Sequence, residues 1–327
     1  MNSQRDPLGR QLHYLRISVT SRCNERCIYC LPDARANRLP LTQQLTFPEV
    51  LAVARVAVSL GFSRFRVTGG EPLIRTGLTG LLDELIHLPG VEEVSLTTNG
   101  TRLPQLAREL YKVGLRRINV SLDSLDPSVY RRISGGDLSQ VLNGIDAVVD
   151  AGFQWLKLNT VLIRDQNRGE LIPLVEFATR RGFPIRFVEL MPISSTEFLR
   201  SASSFSIAEA KEILQCWDDL IPDERSYGAG PARYYRGRRT GAIVGLIGAM
   251  SDEHFCDACN KLRLTSDGKL RPCLGNHIEI DLLQCLRPEI DTDGLRKLFL
   301  ETIAAKPAQH DFRNGFVPLR TMIAIGG

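Results

Sequence analysis

The chain has 327 residues, 43% of them hydrophobic and 24% charged, with a formal net charge of +4. That balance excludes a disordered chain and is too weakly basic to imply nucleic acid, though it suits a modest polyanion held in one pocket. The length allows one large α/β barrel or two ordinary domains, burying roughly three quarters of the unfolded surface, so no disulfide or metal is needed merely to fold. No apolar run approaches the ~18 residues of a membrane span. The polar stretch Met1–Arg10 lacks the apolar core of a secretory signal. Eight cysteines in a chain expected in the reducing cytoplasm point to metal or catalytic thiols rather than disulfides.

From Leu12 to Met191 short β-rich runs alternate with longer helical ones. Strands are predicted at Tyr14–Val19, Phe65–Thr68, Glu93–Thr97, Arg117–Leu122, Leu156–Leu162 and Ile185–Leu190, rich in Val, Ile, Leu and Phe as buried parallel strands are. Helices are predicted between them at Phe47–Leu60, Leu78–Leu88, Leu103–Val113, Leu138–Ala151 and Arg168–Arg181. Thr46 followed by Glu49 reads as a capping box with Pro48 in the first turn. Gly61, Gly114, Gly152 and Gly182 each stand just past a helix, where a left-handed residue ends it. Six βα units in series predict an α/β fold with a parallel sheet, an incomplete TIM-type (βα)6 barrel. An open doubly wound sheet is the alternative; in both, ligands sit at the carboxyl ends of the strands.

After Met191 the rhythm breaks. Residues 192–205 are loop-like and Ser206 looks like a helix N-cap. β-like pieces follow at Arg233–Arg236, Ala242–Ile247, Leu262–Thr265 and Leu270–Leu274, with helices expected near Ile280–Leu286 and Gly294–Ala305. The expected division is a barrel over 1–191 and a smaller α+β region over 192–327. Arg236, Arg238 and Arg239, the densest basic patch, read as a solvated turn or a rim on a phosphate side. Cys216 and Cys285 lack motif partners and read as core residues.

Cys23, Cys27 and Cys30 form C-x3-C-x2-C directly after the first strand. Thiolates are soft ligands suited to iron–sulfur clusters and zinc. Three on one loop can hold three corners of a [4Fe–4S] cube and leave one iron open, as a reacting metal site requires. Zinc completed by a distant histidine has the same spacing. Cys256, Cys259 and Cys273 form a second triad, C-x2-C-x13-C, which a hairpin turning at Asp267-Gly268 would close. His254 and His277 flank it, so a Cys3His zinc ribbon stands beside the cluster reading.

The first triad, with Tyr29 before its last cysteine and Thr68-Gly69-Gly70-Glu71-Pro72 one βα unit later, resembles the radical S-adenosylmethionine (SAM) superfamily. Gly69 and Gly70 let backbone approach closely, and Glu71 is an anionic acceptor that can meet an ammonium. With the second triad and the final Gly326-Gly327, the chain from about Leu12 onward resembles one family within it, the GTP 3′,8-cyclases (MoaA) that begin molybdenum cofactor biosynthesis. Thr97-Thr98-Asn99-Gly100 and Asn119-Val120-Ser121-Leu122-Asp123 also match that family.

The resemblance implies two [4Fe–4S] clusters, one on each triad, with SAM on the open iron of the first. It implies SAM contacts at Tyr29, Gly69, Gly70, Glu71, Ser121 and Met191. It implies GTP contacts at Arg16, Arg66, Thr97, Lys157, Arg186, Lys261, Leu262 and Arg263, with the open iron of the second cluster on the guanine. Arginine suits that work because its planar fork binds phosphate oxygens two at a time. Lys261 replaces the arginine the family usually shows, so altered GTP contacts without a change of reaction are expected there. The implied reaction is reductive cleavage of SAM to a 5′-deoxyadenosyl radical, abstraction of H3′ of GTP, C3′–C8 bond formation and reduction to 3′,8-cyclo-7,8-dihydro-GTP, with Arg16 nearest the late radical. Gly326 and Gly327 would reach into the site. The family further implies a homodimer, a separate electron donor and a downstream cyclic pyranopterin monophosphate synthase, with neither nucleic acid nor membrane as partner. Two other readings stay open: a peptide-modifying radical enzyme with an auxiliary cluster, and a non-catalytic zinc protein that binds nucleic acid through its C-terminal ribbon.

Overall fold

A computed structural model describes residues 5–30, 40–194, 198–199 and 204–326. The described strands form a single twelve-stranded sheet. Six come from the predicted βα series: β1 (Tyr14–Ser18), β2 (Arg64–Thr68), β3 (Glu93–Thr98), β4 (Arg117–Ser121), β5 (Trp155–Leu162) and β6 (Ile185–Glu189). They lie side by side in chain order, all parallel. Six more follow: β7 (Leu220–Pro222), β8 (Arg233–Gly237), β9 (Ile243–Ile247), β10 (Lys261–Leu264), β11 (Lys269–Arg271) and β12 (Ile280–Asp281). They divide between the two edges. β9 pairs parallel with β6 and carries β8 and β7, while β10 pairs parallel with β1 and carries β11 and β12. The parallel part is therefore eight strands wide, two of them supplied from beyond residue 191.

Alternation along the strands separates core from site. Leu15 and Ile17, Phe65 and Val67, Leu96, and Ile118 and Val120 are buried in the core shared with the surrounding helices. The residues between them are polar or charged and face the concave side. The capping box at Thr46 and Glu49 is formed in both directions, and Ser206 caps Ile207–Trp217 in the same way. Gly61, Gly114, Gly152 and Gly182 all take positive φ, between 73° and 95°.

Three expectations are corrected. Ile280–Leu286 is a short strand followed by a 3-10 turn rather than a helix, because Ile280 pairs with Leu270 to extend the hairpin. Cys216 is exposed on its helix rather than in the core. The helix Pro127–Ser134 stands where none was predicted; Asp126 caps it and Pro127 opens it. Arg236 and Arg238 pair with Asp223 (3.3 Å) and Asp219 (2.9 Å) on the outer turn. No helix among the described residues is long and apolar enough to cross a membrane.

Candidate active site

The parallel strands surround a cavity of about 340 Å³. Both cysteine triads line it, as do Arg16, Tyr29, Arg66, Gly69, Gly70, Glu71, Thr97, Ser121, Arg186, Met191, Lys261 and Arg263. Lys157 stands just outside the lining, buried beside Asn119 and the Gly228 loop. Leu262 turns its side chain into the core on the opposite face. Gly326 meets the site through its carbonyl, which accepts from Arg263 Nη1 at 3.1 Å. Gly327 lies outside the described residues.

The first triad sits on a loop held from three sides. The Gly70 and Glu71 amides donate to the carbonyls of Thr20 and Arg22, each at 2.7 Å. A Cβ on Gly70 would lie 2.2 Å from the Arg22 carbonyl oxygen. The missing side chains therefore make room for the cysteine loop itself. Asn24 donates to Thr101 and accepts from Asn99. On the third side Tyr29 donates to Asp123 (2.8 Å), Tyr130 donates to Glu25 (2.8 Å), and the Arg26 and Ile28 amides bond to Ser134 and Ile133. Glu71 accepts from Leu73 N, Thr98 Oγ1 and Asn99 N, so most of its acceptor capacity ties the turn to the end of β3. Burial pushes this carboxyl up to about 7 in spite of those donors. Burial also pushes Cys23 and Cys30 up to about 12 and Cys27 well above an ordinary thiol.

Opposite the loop lies a row of cations. Arg263, Arg16 and Arg66 are direct cross-strand neighbours on β10, β1 and β2. Arg186 and Lys157 extend the charge across the floor, and Lys261 stands two residues before Arg263. Among the described residues, none of these six pairs with a carboxylate within 4 Å. Arg16 Nε, Arg186 Nε and Thr97 Oγ1 are buried without any partner. Burial, then the charges of Arg263 and Arg66, bring Arg16 well below its ordinary value. Burial likewise brings Lys157 down to about 7 and Arg263 to about 10. Like charges set abreast in a sheet are destabilising, and an anion among them would offset that cost.

The Asp267-Gly268 turn forms as predicted and joins β10 to β11, returning Cys273 to the cavity. Neither flanking histidine joins the triad. His254 is exposed and bonded to Asp257, while His277 stacks on Phe316. His310 lines the cavity instead, with Nδ1 accepting from the Phe312 amide. Lys306, also buried, donates to the carbonyls of Lys261 (2.9 Å) and Pro272 (2.7 Å) and to the Cys259 thiol. Burial opposes the Cys259 thiolate, but Lys306 and Lys261 outweigh it and bring the thiol down to about 7. Among the described residues, no three His, Cys, Asp or Glu side chains are placed to hold one metal ion. A [4Fe–4S] cube makes a different demand, since it meets each thiolate at a separate iron.

Residues 17–178 match the Radical SAM superfamily and residues 183–312 match Molybdenum Cofactor Synthesis C. The chain is 42% identical to a GTP 3′,8-cyclase of Pelotomaculum thermopropionicum over 324 residues, 98% of this chain and 99% of that one. It is 43% identical to GTP 3′,8-cyclase 1 of Pseudomonas aeruginosa over 310 residues, 94% and 93% of the two chains. The chain belongs to the GTP 3′,8-cyclase family. Among solved structures, Streptococcus suis SuiB bound to S-adenosylmethionine matches with a TM-score of 0.60 over 87% of this chain and 68% of that one. At 16% identity that likeness is one of fold.

Membership of this radical SAM family brings a [4Fe–4S] cluster and SAM with it, and the first triad fits the cluster. Its three half-buried thiols disfavour thiolate in the free chain, and a cationic cluster core supplies the missing counter-charge. Sequence reading assigned no role to Glu25, Tyr130 and Lys306, and quoted Asp123 only within a matching segment; each touches a cysteine or its loop. Asp123, Tyr130 and Lys306 sit far along the chain from what they support, and Glu25, inside the motif, is distinguished only by its distant partner Tyr130. Tyr130→Phe leaves the buried Glu25 carboxylate short of a donor at a cost of about 1–3 kcal/mol. Iron at the first triad is then expected to be lost to a chelator several-fold faster, followed by absorbance.

Proposed function

We propose that the chain is a radical SAM GTP 3′,8-cyclase that makes 3′,8-cyclo-7,8-dihydro-GTP for molybdenum cofactor biosynthesis. The observation that carries this reading is the row of unpaired cations facing both cysteine triads across one cavity. Cys23, Cys27 and Cys30 would hold the cluster that binds SAM, with Tyr29, Gly69, Gly70, Glu71, Ser121 and Met191 around it. Cys256, Cys259 and Cys273 would hold a second [4Fe–4S] cluster with an iron open to the guanine. Bound at the first triad, reduced cluster and SAM together supply a radical able to remove the hydrogen from C3′.

The chain's own groups hold the substrate for that event. Arg66, Arg186 and Arg263 take the triphosphate with forked donors on its oxygens, and Lys157 adds a point charge. Thr97 offers its unpartnered hydroxyl, and Lys261 gives charge without a fork. Arg16, at the middle of the row, lies nearest the ribose and the late radical. Clamped at both ends, GTP has its own C8 as the nearest partner for a radical at C3′, a proximity effect. Residues 1–191 would then serve radical formation and residues 192–327 the guanine end. The protein would work in the cytoplasm, as a homodimer, with a separate electron donor and a cyclic pyranopterin monophosphate synthase downstream.

The test is anaerobic. After reconstitution with iron and sulfide, dithionite, SAM and GTP are expected to yield 5′-deoxyadenosine and a GTP isomer of unchanged mass, both lost in Cys23→Ala. 5′-Deoxyadenosine without any change in GTP, in fully loaded protein, would overturn the choice of substrate.

A further inference from the structure

We infer that Arg320 is the positioning residue that clasps the C-terminal segment onto the β10–β11 hairpin and so sets how far that segment reaches into the site. The inference deepens the cyclase reading and rests on it for its meaning in catalysis, but the clasp itself can be tested without turnover.

Burial changes abruptly at Arg320. Val317 is 67% exposed and Leu319 78%, whereas Thr321, Ile323, Ala324 and Ile325 are all buried to 8% or less. The short helix Met322–Ile325 presses Met322 and Ile323 into the cavity wall, and the Ile323 amide donates to the Cys30 thiol. An isolated helix of four residues has no stability of its own, because nucleation costs more than one turn returns. Something else must hold the segment against the entropy of a free chain end. From Arg313 to Gly326 the chain has two charged residues, Arg313 and Arg320. Arg313 reaches a carbonyl, that of Met250, at the exposed start of the segment.

Arg320 makes a three-point contact. Its Nη1 and Nη2 donate to the two oxygens of Asp267 at 3.0 and 2.9 Å, and its Nε lies 3.0 Å from Glu279 Oε1. Asp267 belongs to the hairpin and Glu279 to the segment that follows it into β12. Asp267 sits at the centre of the Thr265–Gly268 turn, also bonded by Thr265 Oγ1 at 2.6 Å, and Glu279 leads into β12 and pairs with Arg271 on β11. Side-chain exposure at the three partners is 23%, 13% and 21%, so solvent screens the contact only partly. The same hairpin bears Arg263, whose guanidinium meets the Gly326 carbonyl, and ends next to Cys273. Arg320 thus fixes the outer end of a segment whose inner end already touches the substrate wall.

The experiment uses the full chain. In metal-free protein, Arg320→Gln is expected to speed carboxypeptidase release of the terminal residues, and hydrogen exchange of amides 322–326, by about tenfold. In reconstituted enzyme the same variant keeps its iron and its KM for GTP while kcat falls about tenfold. Arg320→Lys, which keeps a charge beside Asp267 and Glu279, is expected to regain part of the protection that Arg320→Gln lacks. Unaltered protection and exchange in Arg320→Gln would overturn the clasp, as would Arg320→Lys no better protected than Arg320→Gln. Protection lost with no change in kcat would leave the clasp standing and remove its role in catalysis.

Discussion

Replacing Gly70 by alanine is expected to strip iron from the first triad and stop 5′-deoxyadenosine formation. The added Cβ would lie 2.2 Å from the Arg22 carbonyl oxygen, 2.6 Å from its carbon and 3.1 Å from the Cys23 nitrogen. All three are backbone atoms, so no rotamer relieves the overlap. The loop would have to move by roughly an ångström, and displacements of that size at a reacting centre cost on the order of 100-fold. The Thr20 and Arg22 carbonyl bonds that set Gly70 and Glu71 against the loop would be lost with it. Iron bound at the first triad is expected to be lost, and 5′-deoxyadenosine to fall by at least ~100-fold. Gly80→Ala is the control: it sits in the helix Leu78–Ile86 with nothing within 4 Å of the new methyl group, and should leave both readings unchanged. Normal iron content in Gly70→Ala would show that the two loops do not have to meet this closely.

The second large effect runs in opposite directions in the free and bound protein. Arg16 stands between Arg66 and Arg263 with its Nε buried and unpartnered. Such a cation weakens the free fold. Arg16→Met keeps much of the side-chain length while removing the charge, and is expected to stabilise the chain by about 1–3 kcal/mol. Thermal melting without ligand should rise by a few degrees. GTP, or inorganic triphosphate alone, should raise the melting temperature of the parent by mass action; Arg16→Met, with the triphosphate cations intact, should keep most of the rise with triphosphate and lose more of the rise with GTP. Product formation should fall by at least ~100-fold in the variant, since the cation placed at the ribose is gone. A free Arg16→Met chain less stable than its parent would mean that the cation row is satisfied without an anion.

The barrel was legible because its signals are local. Each of the six strands and each helix-ending glycine is marked within a few residues, and the capping box at Thr46 needs only Glu49. The cysteine triads were legible for the same reason. The cation row was harder: Arg16, Arg66 and Arg263 are ordinary charges singly, and only register makes them neighbours. Strand-end placement and family resemblance found them, but not that they lie abreast. The helix Pro127–Ser134 was missed although Asp126-Pro127 announces it, because Leu125 to Gly136 lacks a long apolar stripe. Lys306 and Tyr130 were invisible, since each acts on a loop far away in the chain. Ile280–Leu286 was misread because an apolar run of this length suits helix and strand alike, and pairing with Leu270 decides it.

The sheet order also bears on how the molecule is made. The outer edge of β1 is covered by β10 and the outer edge of β6 by β9. Both covering strands belong to the last third of the chain. As the polypeptide leaves the ribosome, the six βα units can assemble with two bare edges, each a template for the wrong partner. They stay bare until Ile243–Ile247 and then Lys261–Leu264 have emerged. Closure of the β1 edge brings Cys256, Cys259 and Cys273 up to a wall that already carries the first triad. A nascent chain stopped before β10 would therefore be both sticky and unable to present the second set of thiols, which comes together only when synthesis is nearly complete.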